Sequence, residues 1–374
     1  MTRVPWAYLL PGLFVSVAAR GGGLPQGPWP MYGGRPSLRG VAEGSLPDAL
    51  ARRWRFRAKG AVHSAPAIGG GRVYFGSDDG HLYALDADNG QRLWALTAGD
   101  AVESAPLLHG GAVFVGASDA CLYCLDAATG KVRWKYQTGD RILGGVNYAE
   151  SPQGTRILVG GYDNRLHCVD ARTGEGLWTY ETDNFVNGTP AVAGGRAVFG
   201  GCDAGIHAVA VADGRKLAEI DAGSYIAASA ALEGDRAYVG TYDSEFLCAD
   251  LAGRKVAWRF GDAGAPFFAA AAIGRDRVVV GCRDQRVYCF RKDTGERLWA
   301  FATRGEVDGS AVICGPRVLV GSKDGRLYIL RLDDGAKVWA YEIGAAVLTT
   351  PAVGGGIAVV GCEDGSVWAF GPKP

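Results

Sequence analysis

Four side chains, His63, Glu103, Asn187 and Asp308, hold one register of a repeating pattern and together offer an imidazole, two carboxylates and an amide. That set suits an oxygen-seeking cation or a small polar ligand. In the other copies the same register holds Leu143, Ala227, Phe268 and Leu348. The position one earlier is apolar throughout: Val62, Val102, Ile142, Val186, Ile226, Phe267, Val307 and Val347. A uniform apolar position packs; a variable one with polar members faces solvent or a ligand. Arg141, Asp183 and Glu306 stand just ahead of these stretches and extend the set. A hydrated lining with no ligand accounts for the same residues, since polar groups at a wet surface are satisfied by water. Other chemistries are excluded. The five histidines show neither HxH nor HxxxH spacing, so zinc is not expected, and phosphate-loop and GxSxG motifs are missing.

The elements that position these residues come from a longer pattern. A Gly-x-x-Asp cluster recurs eight times, at Asp79, Asp119, Asp163, Asp203, Asp243, Asp284, Asp324 and Asp364, spaced 40, 44, 40, 40, 41, 40 and 40 residues apart. Fifteen residues after each Asp come Trp94, Trp134, Trp178, Ala218, Trp258, Trp299 and Trp339. The eighth partner would fall past the last residue, yet Trp54 stands forty residues before Trp94. Within one repeat, Val62–Ile68, Arg72–Gly76, His81–Asp86 and Gln91–Leu96 read as four short strands separated by Gly- and Asp-rich turns. Four antiparallel strands in about forty residues make a propeller blade. The expectation is an all-β, eight-bladed β-propeller of four-stranded antiparallel blades. Its last blade takes three strands from the C-terminal end and the fourth from Arg53–Phe56, so an N-terminal strand closes the ring. The eight aspartates are read as turn builders and each tryptophan as buried between neighbouring blades.

Bulk properties agree. Lys and Arg together number 39 and Asp and Glu 39, scattered evenly, so no nucleic-acid partner is expected. The nine cysteines include no adjacent pair, and several share repeat positions that lie on a circle too wide to bridge. Cys121 and Cys124 mimic a redox CxxC, but within a strand they face opposite sides. Residues 1–20 read as an export signal, one arginine before an apolar run that is too short for a comfortable membrane span. Residues 21–50 are rich in Gly and Pro and read as an extended lead-in, with the propeller over 51–374.

The string Leu122-Tyr123-Cys124-Leu125-Asp126-Ala127-Ala128-Thr129-Gly130-Lys131-Val132-Arg133-Trp134 resembles the tryptophan-docking repeat of the pyrroloquinoline-quinone-like propellers. The likeness covers residues 52–370, and Trp29–Gly34 resembles the segment ahead of such propellers in exported bacterial proteins. It implies one of two branches. Dehydrogenases hold pyrroloquinoline quinone on calcium or a lanthanide, many with a disulfide of adjacent cysteines above it. BamB-like relatives are non-catalytic and serve outer-membrane β-barrel assembly as lipoproteins. Here neither an adjacent cysteine pair nor a lipidation cysteine after the apolar run occurs, and long insertions are missing. The reading favoured is a non-catalytic monomeric scaffold in the periplasm or envelope. It would present its rims to another protein, with no cofactor and no transmembrane helix. The alternatives are a quinone-dependent dehydrogenase and a cofactor- or polysaccharide-binding propeller, the last suggested by Tyr225, Phe267 and Phe268. The cytoplasm is the alternative compartment, favoured by the free thiols.

Overall fold

Short β-rich segments separated by turns at nearly constant spacing leave each sheet with two apolar faces to cover, and a closed ring of sheets covers both. The computed structural model describes residues 23–372 and has that architecture: eight antiparallel four-stranded sheets around one axis. Blade 1 comprises Ala67–Gly69, Arg72–Ser77, His81–Asp86 and Arg92–Thr97, from innermost to outermost strand. Blades 2 to 7 follow in chain order. Blade 8 has Ala352–Gly354, Ile357–Gly361 and Ser366–Pro372, and its outermost strand is Leu50–Arg57, paired antiparallel to Ser366–Pro372 with Trp54 opposite Ala369. The innermost strand of blade 8 lies beside that of blade 1, so the ring is closed as the Trp54 spacing requires.

The conserved elements of the repeat are fasteners between blades. The glycine of each Gly-x-x-Asp lies where the uniform apolar residue of the next blade presses in. A Cβ on Gly160 would sit 2.7 Å from the Val186 carbonyl, and one on Gly361 would sit 2.9 Å from Val62 Cβ, across the seam. Each docked tryptophan lies on a left-handed glycine in the following blade's outer turn. A Cβ on Gly90, Gly130, Gly174, Gly214, Gly295 or Gly335 would meet the ring of Trp54, Trp94, Trp134, Trp178, Trp258 or Trp299 at 2.6–2.7 Å. The indole N–H of each then donates to a carbonyl of that turn, at 2.8–3.2 Å. Trp339 makes no such bond among the described residues, because blade 8 takes its third and fourth strands from opposite chain ends and has no turn between them.

The aspartates do more than build turns. Asp79 accepts from its own turn (His81 N, 3.2 Å), from the exit of the preceding blade (Lys59 N, 2.8 Å) and from the Tyr83 hydroxyl (2.8 Å). Asp119, Asp284 and Asp324 repeat the tyrosine contact, and Asp163 and Asp203 substitute His167 and His207 at 3.0 Å. Burial would push the Asp79 carboxyl up, but the Lys59 amide and the Tyr83 hydroxyl outweigh it and hold it below the ordinary range.

The lead-in is a plug. Successive carbonyls bond every blade in turn: Pro25 and Gly27 to blade 8, Trp29 to blade 1, Pro30 to blade 2, Pro36 to blades 3 and 4, Ser37 to blade 5, Arg39 to blade 6 and Gly40 to blade 7. The segment thus circles one end of the central channel, with Trp29, Met31 and Leu38 buried and Val41–Ala42 adding a parallel strand to blade 7. The expected export signal lies outside the described residues. All nine cysteines are free thiols, seven of them buried.

Candidate functional site

At the end opposite the plug, the segments that lead into the innermost strands carry the register of His63, and here the channel opens. Below the mouth a belt of hydroxyls joins neighbouring blades, including Ser64 Oγ to Ser104 O, Ser104 Oγ to Gly144 O and Ser310 Oγ accepting from Ala270 N, each 2.8 Å. Tyr32 rises from the plug into this belt and pairs with Ser310 Oγ at 2.8 Å, and burial pushes its phenol up. It floors a cavity of about 170 Å³.

His63, Glu103 and Asn187 line that cavity together with Leu143, Ala227 and Phe268. Asp308 does not. Arg283 grips both its carboxylate oxygens at 2.9 Å and Lys323 adds a contact at 2.8 Å. Burial would raise the Asp308 carboxyl, and these two cations outweigh that and lower it. Glu103 is pushed up by burial and by the nearby Asp78 charge. His63 faces Asp78 at 3.5 Å. Asn187 donates to Cys202 Sγ at 3.1 Å, and its buried Oδ1 has no protein partner. The two carboxylates of the expected set therefore do not converge. No cluster of three His, Cys, Asp or Glu side chains suited to a metal occurs among the described residues.

Around the mouth the face divides into two arcs. On blades 7, 8, 1 and 2 it carries Glu306, Asp308, Lys323, Glu363, Asp78 and Glu103, with Lys323 held by Glu306 at 2.7 Å. On blades 3 to 6 it is aromatic. Tyr162 stacks on Phe185 at 4.6 Å between centroids, and Tyr242 tilts against Phe268 at 5.2 Å. Arg141 lies over Tyr162 at 4.3 Å and Arg283 over Phe268 at 3.7 Å, closing the arc at both ends. Tyr225 and Tyr242 are 56% and 51% exposed, and Phe185 39%. Phe267 is not part of this surface, being fully buried beneath it. Asp183 stays in solvent.

Sequence reasoning missed Tyr162 and Tyr242. They occupy the position just before the repeat aspartate, where the chain reads Asp78, Ser118, Tyr162, Cys202, Tyr242, Arg283, Lys323 and Glu363. That is a variable position beside a constant one, the signal that singled out His63 and its equivalents. Their backbone N–H groups bond the residues ahead of the innermost strands, as in Tyr242 N to Tyr225 O at 2.9 Å, and this brings the two variable sets together.

Fold and mouth together define a plugged, eight-bladed quinoprotein-type propeller. The family described as "Outer membrane protein assembly factor BamB" matches residues 51–147, 141–224, 202–309 and 283–373, and the chain belongs to that family. The fold is shared with BamB from Moraxella catarrhalis (19% identity, TM-score 0.72, 87% of this chain and 100% of that one). Quinohemoprotein alcohol dehydrogenase from Comamonas testosteroni superposes with TM-score 0.77 at 14% identity, over 93% of this chain and 81% of that one. A computationally designed protein, Ika8, gives TM-score 0.75 at 18% identity, over 86% of this chain and 99% of that one. No curated protein matches the chain by sequence.

Proposed function

We propose that the protein is a non-catalytic scaffold of the bacterial envelope that docks a partner protein on the aromatic arc of its channel mouth. The observation carrying this reading is the concentration of exposed Tyr225, Tyr242 and Phe185, bracketed by Arg141 and Arg283, on four adjacent blades. Tyrosine and arginine in such patches dominate protein interfaces, because they bring large contact area with a polar end. Family membership supports the assembly role, and the M. catarrhalis protein sharing the fold is named for it. Site-specific photo-crosslinking at positions 225 and 242 in the native host tests it. One protein adduct at both positions is expected, and none at either position sinks the reading.

Pyrroloquinoline quinone is the cofactor the wider superfamily suggests, and the mouth does not fit it. Small-molecule pockets run to about 300–1,000 Å³, and here Tyr32 and Phe268 hold the cavity near 170 Å³. The cation such a cofactor needs would find Glu103 and Asn187, while Asp308 is already committed to Arg283 and Lys323. Reconstitution with the quinone and calcium is expected to leave the absorbance spectrum that of the free cofactor.

A further inference from the structure

The strand that closes the ring differs in charge from every other outermost strand. Leu50–Arg57 carries Arg52, Arg53, Arg55 and Arg57, and Lys59 follows; all five are exposed and the strand holds no acid. No other outermost strand has more than two cations, and Gly176–Glu181 has none. A solvent-facing edge strand is commonly protected from pairing by a charge or two, and one or two cations serve that purpose on Arg92–Thr97 and Val132–Gln137. Four arginines in one strand exceed it.

They are also held in place. Arg52 and Arg55 lie against the Trp368 ring at 5.8 and 4.8 Å. Arg53 reaches the Pro372 carbonyl at 3.3 Å. Arg55 and Arg57 share a single carboxylate oxygen of Asp364, each at 3.2 Å. Among the described residues Asp364 is the one acid in ion-pair contact with any of these five cations, in a chain whose formal charge is zero.

We propose that this edge is a docking surface for an anionic lipid bilayer. Eight residues at about 3.3 Å each make a row on the order of 25 Å long and one strand wide. That shape suits a flat array of phosphates, and each basic side chain at such a surface strengthens attachment. The polypeptide ahead of Pro25 also enters the ring on this blade, where Gly356 N bonds Pro25 O at 2.8 Å.

Co-sedimentation of the full chain with phosphatidylcholine vesicles, with and without phosphatidylglycerol, tests this. Binding to the anionic vesicles that weakens with added salt is expected. Combining Arg53→Gln, Arg57→Gln and Lys59→Gln should weaken it on the order of a hundredfold. Combining Lys131→Gln, Lys135→Gln and Lys255→Gln, an equal charge loss elsewhere, should change it little. Because Arg57 contacts Asp364, the pair Arg53→Gln with Lys59→Gln serves as a second variant, with a drop of roughly thirtyfold. Equal weakening by both triple variants, equal binding to the two vesicle types, or retention by a polyglutamate peptide without vesicle binding would each overturn the proposal.

Discussion

The junction between blades 4 and 5 and the six junctions with a docked tryptophan are built from one repeat, yet they are fastened differently. At the six, a tryptophan lies on a glycine 36 to 40 residues further along the chain and bonds its turn. At the exception, Ala218 replaces the tryptophan, and the position that would be its glycine is Arg254, a non-glycine residue at φ 50° whose guanidinium reaches back to the Leu217 carbonyl at 3.0 Å. The glycine is needed for the space the indole takes, and where there is no indole an arginine fits. Blade 5 lacks a second fastener as well. Leu247 stands where blades 1 to 4, 6 and 7 have tyrosine or histidine and blade 8 has Trp368, and Asp243 makes no side-chain hydrogen bond among the described residues. Tyr225 and Tyr242 are on this blade. The ring is least tied where its apolar surface is most exposed.

The largest test of this contrast is at the seam. Removing residues 50–57 deletes a whole strand along with the Trp54 dock, and it should abolish cooperative unfolding or lower Tm far more than any point substitution, as read by calorimetry. Next comes Trp299→Ala. With the ring 8% exposed, a loss of about 3–5 kcal/mol is expected in urea denaturation, against less than about 1 kcal/mol for Ala218→Gly. Gly130→Ala combines a left-handed backbone with a clash against Trp94 and should cost about 1–3 kcal/mol, whereas Arg254→Gly should be near neutral. The junctions become interchangeable if Ala218→Trp is destabilising alone and less so together with Arg254→Gly; strict additivity of the two would refute the pairing.

The smallest effect concerns pH. Burial would raise the Asp203 carboxyl, but the His207 ring and the Gly205 amide outweigh it and lower it. Its folded pKa lies below its unfolded value. The stability it contributes is present above the unfolded carboxylate pKa and is lost as pH falls through the folded one. Acid melting should therefore be less steep in Asp203→Asn.

Eight blades, their order and the closing strand were legible because Gly-x-x-Asp and tryptophan recur at fixed spacing, and the leftover Trp54 pointed to the seam. The plug was not legible. It has no periodicity, since its carbonyls are spread over all eight blades at irregular intervals, and Gly and Pro there read only as irregular chain. At the mouth, His63, Glu103 and Asn187 do share a cavity, but Asp308 is committed to Lys323, 15 residues on in the same blade, and to Arg283, 25 residues back across a blade boundary. The aromatic arc carries the same signal, Tyr162 and Tyr242 at a variable position beside the constant aspartate, but which of those variable side chains stay exposed is set by how the blades pack.

Closing blade 8 with the strand Leu50–Arg57 also sets an order of events. During synthesis that strand emerges long before its partner, Ser366–Pro372. Until the partner follows, the early strand has no sheet to join and the plug no completed rim to seat against. The ring therefore stays open at its seam while its eight blades are being made.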